Sequence, residues 1–547
     1  MTLPNGYRDL FIASFGDSVW EEYLAALQRP HTRGLRINPL RTGTERLRSE
    51  DAIPWASDAY SLDLNSTIGN DPLHAAGCLY LQEPTAMAPV TALAPLPGER
   101  ILDLCAAPGG KTTQIGTLMQ GTGFLLANDP HPARAEALAE NVERFGLPHA
   151  AVANVEPERL IDAYHEHFDG ILVDAPCSGE GLFRRDPGAV GQWSEAQVER
   201  NAVRQLTILD AAYRMLRPGG RLVYSTCTFN PLENELVCAA FARAHLDMTV
   251  EPVRLPGSEP GLSGAQLAAA GTRHPLIGRA SDALTAWGQA DTGGTQVGEQ
   301  ADAGGTQVGE QADAGGTQVG EQADTGGTQV GEQADAGGTQ VGEQAVPTEL
   351  TARFFPQHAN GEGHFIARFH KRAPRATPAL KRTKTGHKAA GRDRARTDPT
   401  EQLAKEFADF ARRTLRPEAV EALLSDRTLR TQGTILYAVA AEALRVPALL
   451  RPGLALMRRE RGHAAPHHAL ALALRSSDAH TVLRLPYGDP RILSYLRGET
   501  IPSSTRDGWT LVAVDEAPLG WGKTVNGTLK NHYPKGLRRA YAFALEI

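Results

Sequence analysis

Ile101–Thr113 reads ILDLCAAPGGKTT: a short apolar strand, a turn of small residues, and the start of a helix. Glycines there let the backbone approach a ligand closely, and the helix start offers N–H groups without intrahelical partners. Working outward, short apolar runs recur at Arg100–Leu104, Gly123–Ala127, Gly170–Val173 and Arg221–Ser225. Helical stretches such as Pro132–Phe145 and Ser194–Leu216 separate them. Strand and helix in alternation predict an α/β domain built on a mostly parallel sheet. Gly363–Phe369, GHFIARF, is a further strand candidate.

Three ligands suit such a strand–turn–helix. A phosphate-binding P-loop needs a glycine five positions before Gly110, where the chain has Cys105. A dinucleotide fingerprint needs G-x-G-x-x-G, which is absent. The third reading is the S-adenosylmethionine turn of a class I (Rossmann-like) methyltransferase. Asp129 favours it, because FLLAND ends the second strand on a carboxylate that can accept both hydroxyls of a ribose. A strand-end aspartate on its own is more often a helix cap.

Two more strand ends carry cysteine. FDGILVDAPCSGEG puts Asp174 and Cys177 just past one strand, and GGRLVYSTCTFNPLENE puts Cys227 just past the next. Consecutive parallel strands are usually neighbours, and ligands gather outside their carboxyl ends. Both thiols are therefore expected in one crevice beside the turn. A lone cysteine is usually a small buried hydrophobe; two at polar, glycine-rich strand exits point to chemistry.

The segments LQEPTAMAPV (from Leu81), LCAAPGGKTTQ, DAPCSGEGLFRRDP and YSTCTFNPLENE resemble the successive motifs of the NOP/Sun superfamily of RNA cytosine-5 methyltransferases. The C-terminal APLGWGKTVNGTLKNHYPKGLR and the N-terminal LRINPL are similar to the bacterial small-subunit rRNA enzymes of the RsmF type. The resemblance implies methyl transfer from S-adenosylmethionine to carbon 5 of cytosine in small-subunit (16S) rRNA, through a covalent cysteine–cytosine adduct. It implies Cys227 as nucleophile, Cys177 in product release, and Asp174 touching the target base near the methyl donor. Cys105, Ala106, Ala107, Pro108, Gly109, Gly110 and Lys111 would form the cofactor turn, and Asp129 would bind the ribose. The family's acid after the third strand is not evident in ANVEPERL, so Asn154 and Glu156 both stand as candidates for the adenine contact. Carbon 5 of cytosine is a poor nucleophile, and thiolate addition at carbon 6 turns it into an enamine. A free cysteine is only a few per cent thiolate at neutral pH, so the site must assist ionisation. DNA enzymes of this chemistry carry the nucleophile in the PC motif alone, so the presence of both thiols favours RNA. The alternatives are a tRNA cytosine-5 methyltransferase and a non-catalytic rRNA-binding assembly factor; the intact cysteines and turn count against the latter.

Five units of GGTQVGEQADA or a close variant begin at Gly293, Gly304, Gly315, Gly326 and Gly337. Paired glycines and one valine per unit cannot make a helical seam, so the reading is a flexible acidic insert. Ten of the 63 acidic residues and none of the 56 basic ones fall in 290–345, so the net −7 becomes about +3 elsewhere and leaves room for a nucleic-acid partner. Residues 371–396 hold ten Lys or Arg against one acid and read as a basic linker. The expected organisation is an RNA-recognition subdomain at 1–95 and a methyltransferase domain at 96–372, interrupted by the insert at 288–346. A linker at 373–400 and a C-terminal α+β region at 401–547, PUA-like at its end, complete it. In that last region Lys523, Lys530, Lys535 and Arg538, interleaved with Trp521, Tyr533 and glycines, suit RNA phosphates and bases. His467 and His468 are expected to be packing or surface residues.

Five cysteines without a Cys-x-x-Cys or Cys/His cluster argue against a disulfide framework and a metal site. Free thiols, no basic-then-apolar leader and no long uncharged stretch together predict a cytoplasmic protein without a membrane partner; the resemblance implies rRNA or the small ribosomal subunit as partner, and a monomer is expected.

Overall fold

The computed structural model describes residues 2–287, 346–373, 399–446, 449–460 and 462–545. The acidic repeats and nearly all of the basic linker lie outside the described residues.

Near the N-terminus, β1 (Arg33–Ile37), β2 (Ala59–Leu62) and β3 (Leu79–Gln82) form an antiparallel sheet in the order β2-β1-β3. Its central strand, RGLRI, shows the two-residue side-chain period of a strand. Leu35 and Ile37 enter an apolar cluster shared with Leu483, Val512 and Leu529 of the C-terminal region. Arg36, on the other face, is 2% exposed and reaches the helix of the ILDLCAAPGGKTT segment, donating to the Gly110 carbonyl and to Thr113 Oγ1.

The large sheet holds β4 (Arg100–Asp103), β5 (Phe124–Asn128), β6 (Ala150–Ala153), β7 (Phe168–Asp174), β8 (Leu216–Thr226), β9 (Met248–Glu251), β10 (Glu259–Pro260), β11 (Ala352–Phe354) and β12 (His364–Lys371). The order is β10-β11-β12-β8-β7-β4-β5-β6, with β9 also on β12. Strands β4 to β8 are mutually parallel, and β12 runs antiparallel to β8. The inner strands are apolar on both faces, as a doubly covered sheet requires: separate apolar clusters gather Leu102, Leu126 and Ile171 on one side and Ile101, Leu125 and Leu172 on the other. Ser194 caps the helix Glu195–Met215 by accepting from the Gln197 amide.

This is the Rossmann-like architecture expected. Pairing of β12 with β8 means that residues 288–345 enter between strands of one sheet. The basic run begins one residue inside β12: Lys371 is 4% exposed, and its ammonium donates to the Leu216 and Tyr213 carbonyls. That lysine is part of the domain, not of a linker.

The C-terminal region combines the helices Pro399–Thr414 and Pro417–Leu424 with two sheets. One contains β13 (Arg427–Gln432), β14 (Ile435–Ala440), β15 (Leu454–Glu460) and β16 (His463–Pro466) in sequence order. The other contains β17 (Val482–Leu485), β18 (Ile501–Pro502), β19 (Gly508–Val514), β20 (Ala517–Val525) and β21 (Thr528–Asn531), in the order β17-β19-β20-β21-β18. Among the described residues no helix is long and apolar enough to cross a membrane.

Candidate active site

The turn after β4 carries Cys105 to Gly109, and Gly110–Leu118 is the helix it opens. The amides of the first helical turn have no carbonyl one turn behind them. Gly109 takes φ +108°, where a side chain would press on Leu138 and Asn141. The turn is held from outside: the Ala106 amide donates to the Asn128 carbonyl, Arg134 to the Ala107 carbonyl, and Asn141 to the Pro108 carbonyl. Beneath it, Asp103 accepts from Thr112 Oγ1 at 2.6 Å. Burial pushes the Asp103 carboxyl up to about 7, and its Oδ1 has no partner among the described residues.

Asp129 ends β5 with its carboxylate nearly enclosed. Oδ1 accepts from the His131 amide at 3.0 Å, while Oδ2 takes the Ala107 amide and Arg134, each at 3.3 Å. Asp129 thus braces the turn that leads into the helix Pro132–Arg144 without capping it, since the N-cap position is His131. Asn154 donates to the Asp129 carbonyl at 2.8 Å, next to the turn. Glu156 is exposed at the start of the short helix Pro157–Leu160.

Asp174, at the end of β7, faces the same helix. Lys111 Nζ donates to its Oδ2 at 2.7 Å, Ser225 Oγ to its Oδ1 at 2.7 Å, and His364 Nε2 lies 3.4 Å from Oδ1. Burial alone would raise this carboxyl. The Lys111 charge and the His364 contact outweigh it and hold Asp174 well below the usual carboxylate range. For Lys111, Asp174 likewise overcomes burial, so the ammonium titrates above its ordinary value.

The two thiols meet as the strand exits require: Cys177 Sγ and Cys227 Sγ are 3.4 Å apart. The bond between them, followed by burial, raises the Cys177 thiol. Two buried carboxylates bind the loops together. Glu180 accepts from the Phe229 and Asn230 amides and from Trp193 Nε1. Glu233 accepts from the Ser178 amide, Gln205 and Asn230, and burial with the nearby Glu180 charge pushes it up to about 7. Gly181 lets the loops close: its amide donates to the Cys227 carbonyl, and a Cβ would sit 3.0 Å from that oxygen and 3.0 Å from the Gly363 carbonyl.

Three family models match the chain. The family described as 16S rRNA methyltransferase RsmB/F matches residues 90–272, its RsmF N-terminal domain matches 3–84, and the methyltransferase RsmF PUA domain matches 482–539. The chain belongs to the RsmB/F methyltransferase family. Ribosomal RNA small subunit methyltransferase F of Escherichia coli is 38% identical over 281 residues, covering 47% of this chain and 58% of that protein. The Shigella boydii protein of the same name is 37% identical over the same span. The chain thus matches a little over half the length of these relatives. A methyltransferase homologue from Pyrococcus horikoshii, solved by crystallography, is 23% identical with a TM-score of 0.46, over 66% of this chain and 93% of its own.

Within this RsmB/F chain, sequence reasoning missed the residues that support the site from a distance. His364 and Ser225 on Asp174 are two. A second group sets His364 in place: Glu83 of the LQEPTAMAPV segment accepts from the Glu362 amide and from Thr85, whose hydroxyl in turn accepts from the Gly363 amide. Glu362 pairs with Arg184 at 2.8 Å, both buried. The signal was available in the Gly-His that opens GHFIARF, a polar side chain at the entry to a central strand.

In the PUA region, the four expected basic contacts do not form one patch. Lys523 and Lys530 are exposed, face each other across β20 and β21, and Lys523 borders a cleft with Trp509. Lys535 and Arg538 line a different cavity, beside Glu140 and Glu143. Arg538 is half-buried and donates to the Tyr533 carbonyl. The expectation of base stacking on Trp521 and Tyr533 is overturned: they are 1% and 3% exposed, and the Trp521 indole donates to the His467 carbonyl. Trp521 sits in a stretch of β20 that is buried on both faces and packs against Phe410, whereas Tyr533, just past β21, packs against His468 and Tyr495. His467 and His468 are buried packing residues, and His467 caps that helix by accepting from the Ala469 amide.

Proposed function

We propose that this chain methylates carbon 5 of cytosine in small-subunit rRNA, using S-adenosylmethionine and a cysteine nucleophile. The observation that carries the reading is the pair of thiols 3.4 Å apart at neighbouring strand ends, beside a carboxylate held ionised by Lys111. The residues fit the methyl donor. A small-residue turn opens onto a helix N-terminus, and Gly109 sits where a side chain would crowd the helix behind it. Cys105 to Lys111, Asp129, Asn154 and Asp174 would hold it. Asn154 is preferred to Glu156 because it lies against the Asp129 carbonyl, while Glu156 points to solvent. Asp129 uses three acceptor sites on protein donors and, as a carboxylate, retains one for a ribose hydroxyl. When bound, the cofactor supplies an electrophilic methyl group.

The chain's own residues do the rest. Cys227 Sγ bonds to carbon 6 of the cytosine and drives electron density onto carbon 5. Asp174, ionised and 29% exposed, accepts from the amino group on the ring edge and so orients the base for attack. Cys177 Sγ, 3.4 Å away, is within reach to donate a hydrogen bond to the attacking Cys227 sulfur. After carbon 5 is methylated, its proton passes to water, the electron pair left behind forms the carbon 5–carbon 6 double bond, and Cys227 departs as thiolate, with Cys177 assisting that elimination. The test is nucleoside analysis. Full-length protein is incubated with labelled S-adenosylmethionine and either small-subunit rRNA or bulk tRNA, and the digested RNA is resolved by mass spectrometry. The expected product is 5-methylcytidine from the rRNA. Label in tRNA alone, or on another nucleoside, would overturn the reading.

A further inference from the structure

A cleft of about 710 Å³ lies between the helix Pro399–Thr414 and the PUA-region sheet. Small-molecule sites span roughly 300–1,000 Å³, so the space suits a nucleotide. Its wall includes Trp509, half-buried on β19. Phe410 meets the indole edge-on at 6.2 Å and itself touches the buried Trp521 at 5.4 Å, so the ring is anchored to the core. His532 packs against the same indole at 4.6 Å, and Lys523 Nζ sits 6.0 Å from its centre. The Trp509 N–H makes no hydrogen bond among the described residues and is not buried, so it is open to a ligand.

Charge decides what the cleft accepts. Arg413, Arg506 and Lys523 are exposed on its rim, and among the described residues none has a carboxylate within ion-pair distance. Of the acids in the lining, Glu406 is paired with Arg459 and Asp409 with Arg412. Asp507 accepts from the Asn526 amide. The balance is cationic, around an aromatic ring with an unused donor. Cationic grooves with aromatic platforms are how proteins hold unpaired nucleotides.

We infer that this cleft is a second RNA contact, remote from the cysteines, in which Trp509 stacks on an unpaired base while Arg413, Arg506 and Lys523 hold the flanking phosphates. This rests on the RNA-substrate reading above. An acidic protein segment would satisfy the cations but leave the indole unused.

The experiment measures fluorescence anisotropy of the full chain with a labelled twelve-nucleotide oligouridylate and with a duplex RNA of equal length, over a salt series. The single strand should bind more tightly than the duplex. Trp509→Leu should weaken single-strand binding roughly five- to hundred-fold, and Trp509→Phe, which keeps a ring, far less. Each of Arg413→Ala, Arg506→Ala and Lys523→Ala should reduce the logarithmic salt slope by about 0.7. These three residues are exposed, so their variants keep the fold. Unchanged affinity in Trp509→Leu, or displacement of the RNA by a polyglutamate peptide at equal concentration, overturns the inference. Methylation of rRNA by wild type is scored separately. A chain that makes 5-methylcytidine but is insensitive at Trp509 refutes the cleft alone; one that makes none but loses binding at Trp509 refutes the catalytic reading alone.

Discussion

Replacing Lys111 by methionine keeps the length of the side chain and removes its charge. Lys111 and Asp174 are 2.7 Å apart, with side chains 11% and 29% exposed. At an effective dielectric of 20, that separation corresponds to about 6 kcal/mol of attraction. Desolvation of both groups offsets part of it, and removing one partner of such a pair typically costs about 3–5 kcal/mol. Ser225 and His364 still contact the orphaned carboxylate, so the low end, about 3 kcal/mol, is expected at neutral pH. The sign of the pH dependence follows from Asp174. In wild type its folded carboxyl titrates well below the usual range. Its stabilising contribution is therefore present above the ordinary carboxylate value and is lost only as pH falls through the depressed one. Lys111→Met removes the largest of the influences that lower the Asp174 carboxyl, and the expected outcome is that burial then prevails and raises it above its ordinary value. It then destabilises the fold increasingly as pH rises past that ordinary value toward neutrality. The gap between the two proteins should widen from pH 4.5 to pH 7.5. Urea unfolding followed by circular dichroism at stepped pH measures it, with cofactor calorimetry alongside. A gap of constant size across that range would falsify the assignment of Lys111 as the group that keeps Asp174 ionised.

The two cysteines should fail differently. Cys177→Ala is expected to accumulate an RNase-sensitive protein–RNA band on a denaturing gel, and Cys227→Ala to show neither band nor methylation; the reverse pattern would exchange their roles. Arg353→Met, which strands the buried Glu235 carboxylate 2.8 Å away, should destabilise the chain by about 3–5 kcal/mol, and the added change Glu235→Met should restore much of it. An urea midpoint equal to wild type in the single variant would contradict that. Replacing residues 290–345 with a short glycine–serine linker should leave methyl transfer within a few-fold, because loop-closure cost changes slowly with length. Loss of cofactor binding by calorimetry would show that the insert has a role in the site.

The parallel sheet was legible because β4, β5, β7 and β8 are apolar on both faces and end in polar, glycine-rich turns. The same pattern put Asp174, Cys177 and Cys227 in one crevice. Strand β6 was absent from the apolar runs: AAVA is only four small residues long, and its neighbour Leu147 looks like the end of the preceding helix. His364 went unread because its contact with Asp174 joins positions 190 residues apart, and only pairing of β12 with β8 brings them together. The C-terminal aromatics misled for a related reason. Composition there matches an RNA-contacting surface, but Trp521 lies in the fully covered part of β20, while Trp509, which no motif marked, lies at the half-buried start of β19 on the same face. Asp129 fell between its two readings, because a strand-end carboxylate that binds a ribose and one that starts a helix occupy the same position.

Arg36 has a consequence for how such a protein can be divided. It belongs to the N-terminal sheet, yet its guanidinium is spent on the Gly110 carbonyl and Thr113. Gly77, from the same region, lies so close to the Arg144 carbonyl that even a methyl group would collide with it. The first eighty residues are therefore no detachable module. Recombination that swapped them for another recognition segment would leave the cofactor helix short of a hydrogen-bond donor and with an apolar scar at its flank. Inheritance of the two parts as a block is what this joint enforces, and a fragment cut at residue 95 would carry a defect at the start of the helix Gly110–Leu118.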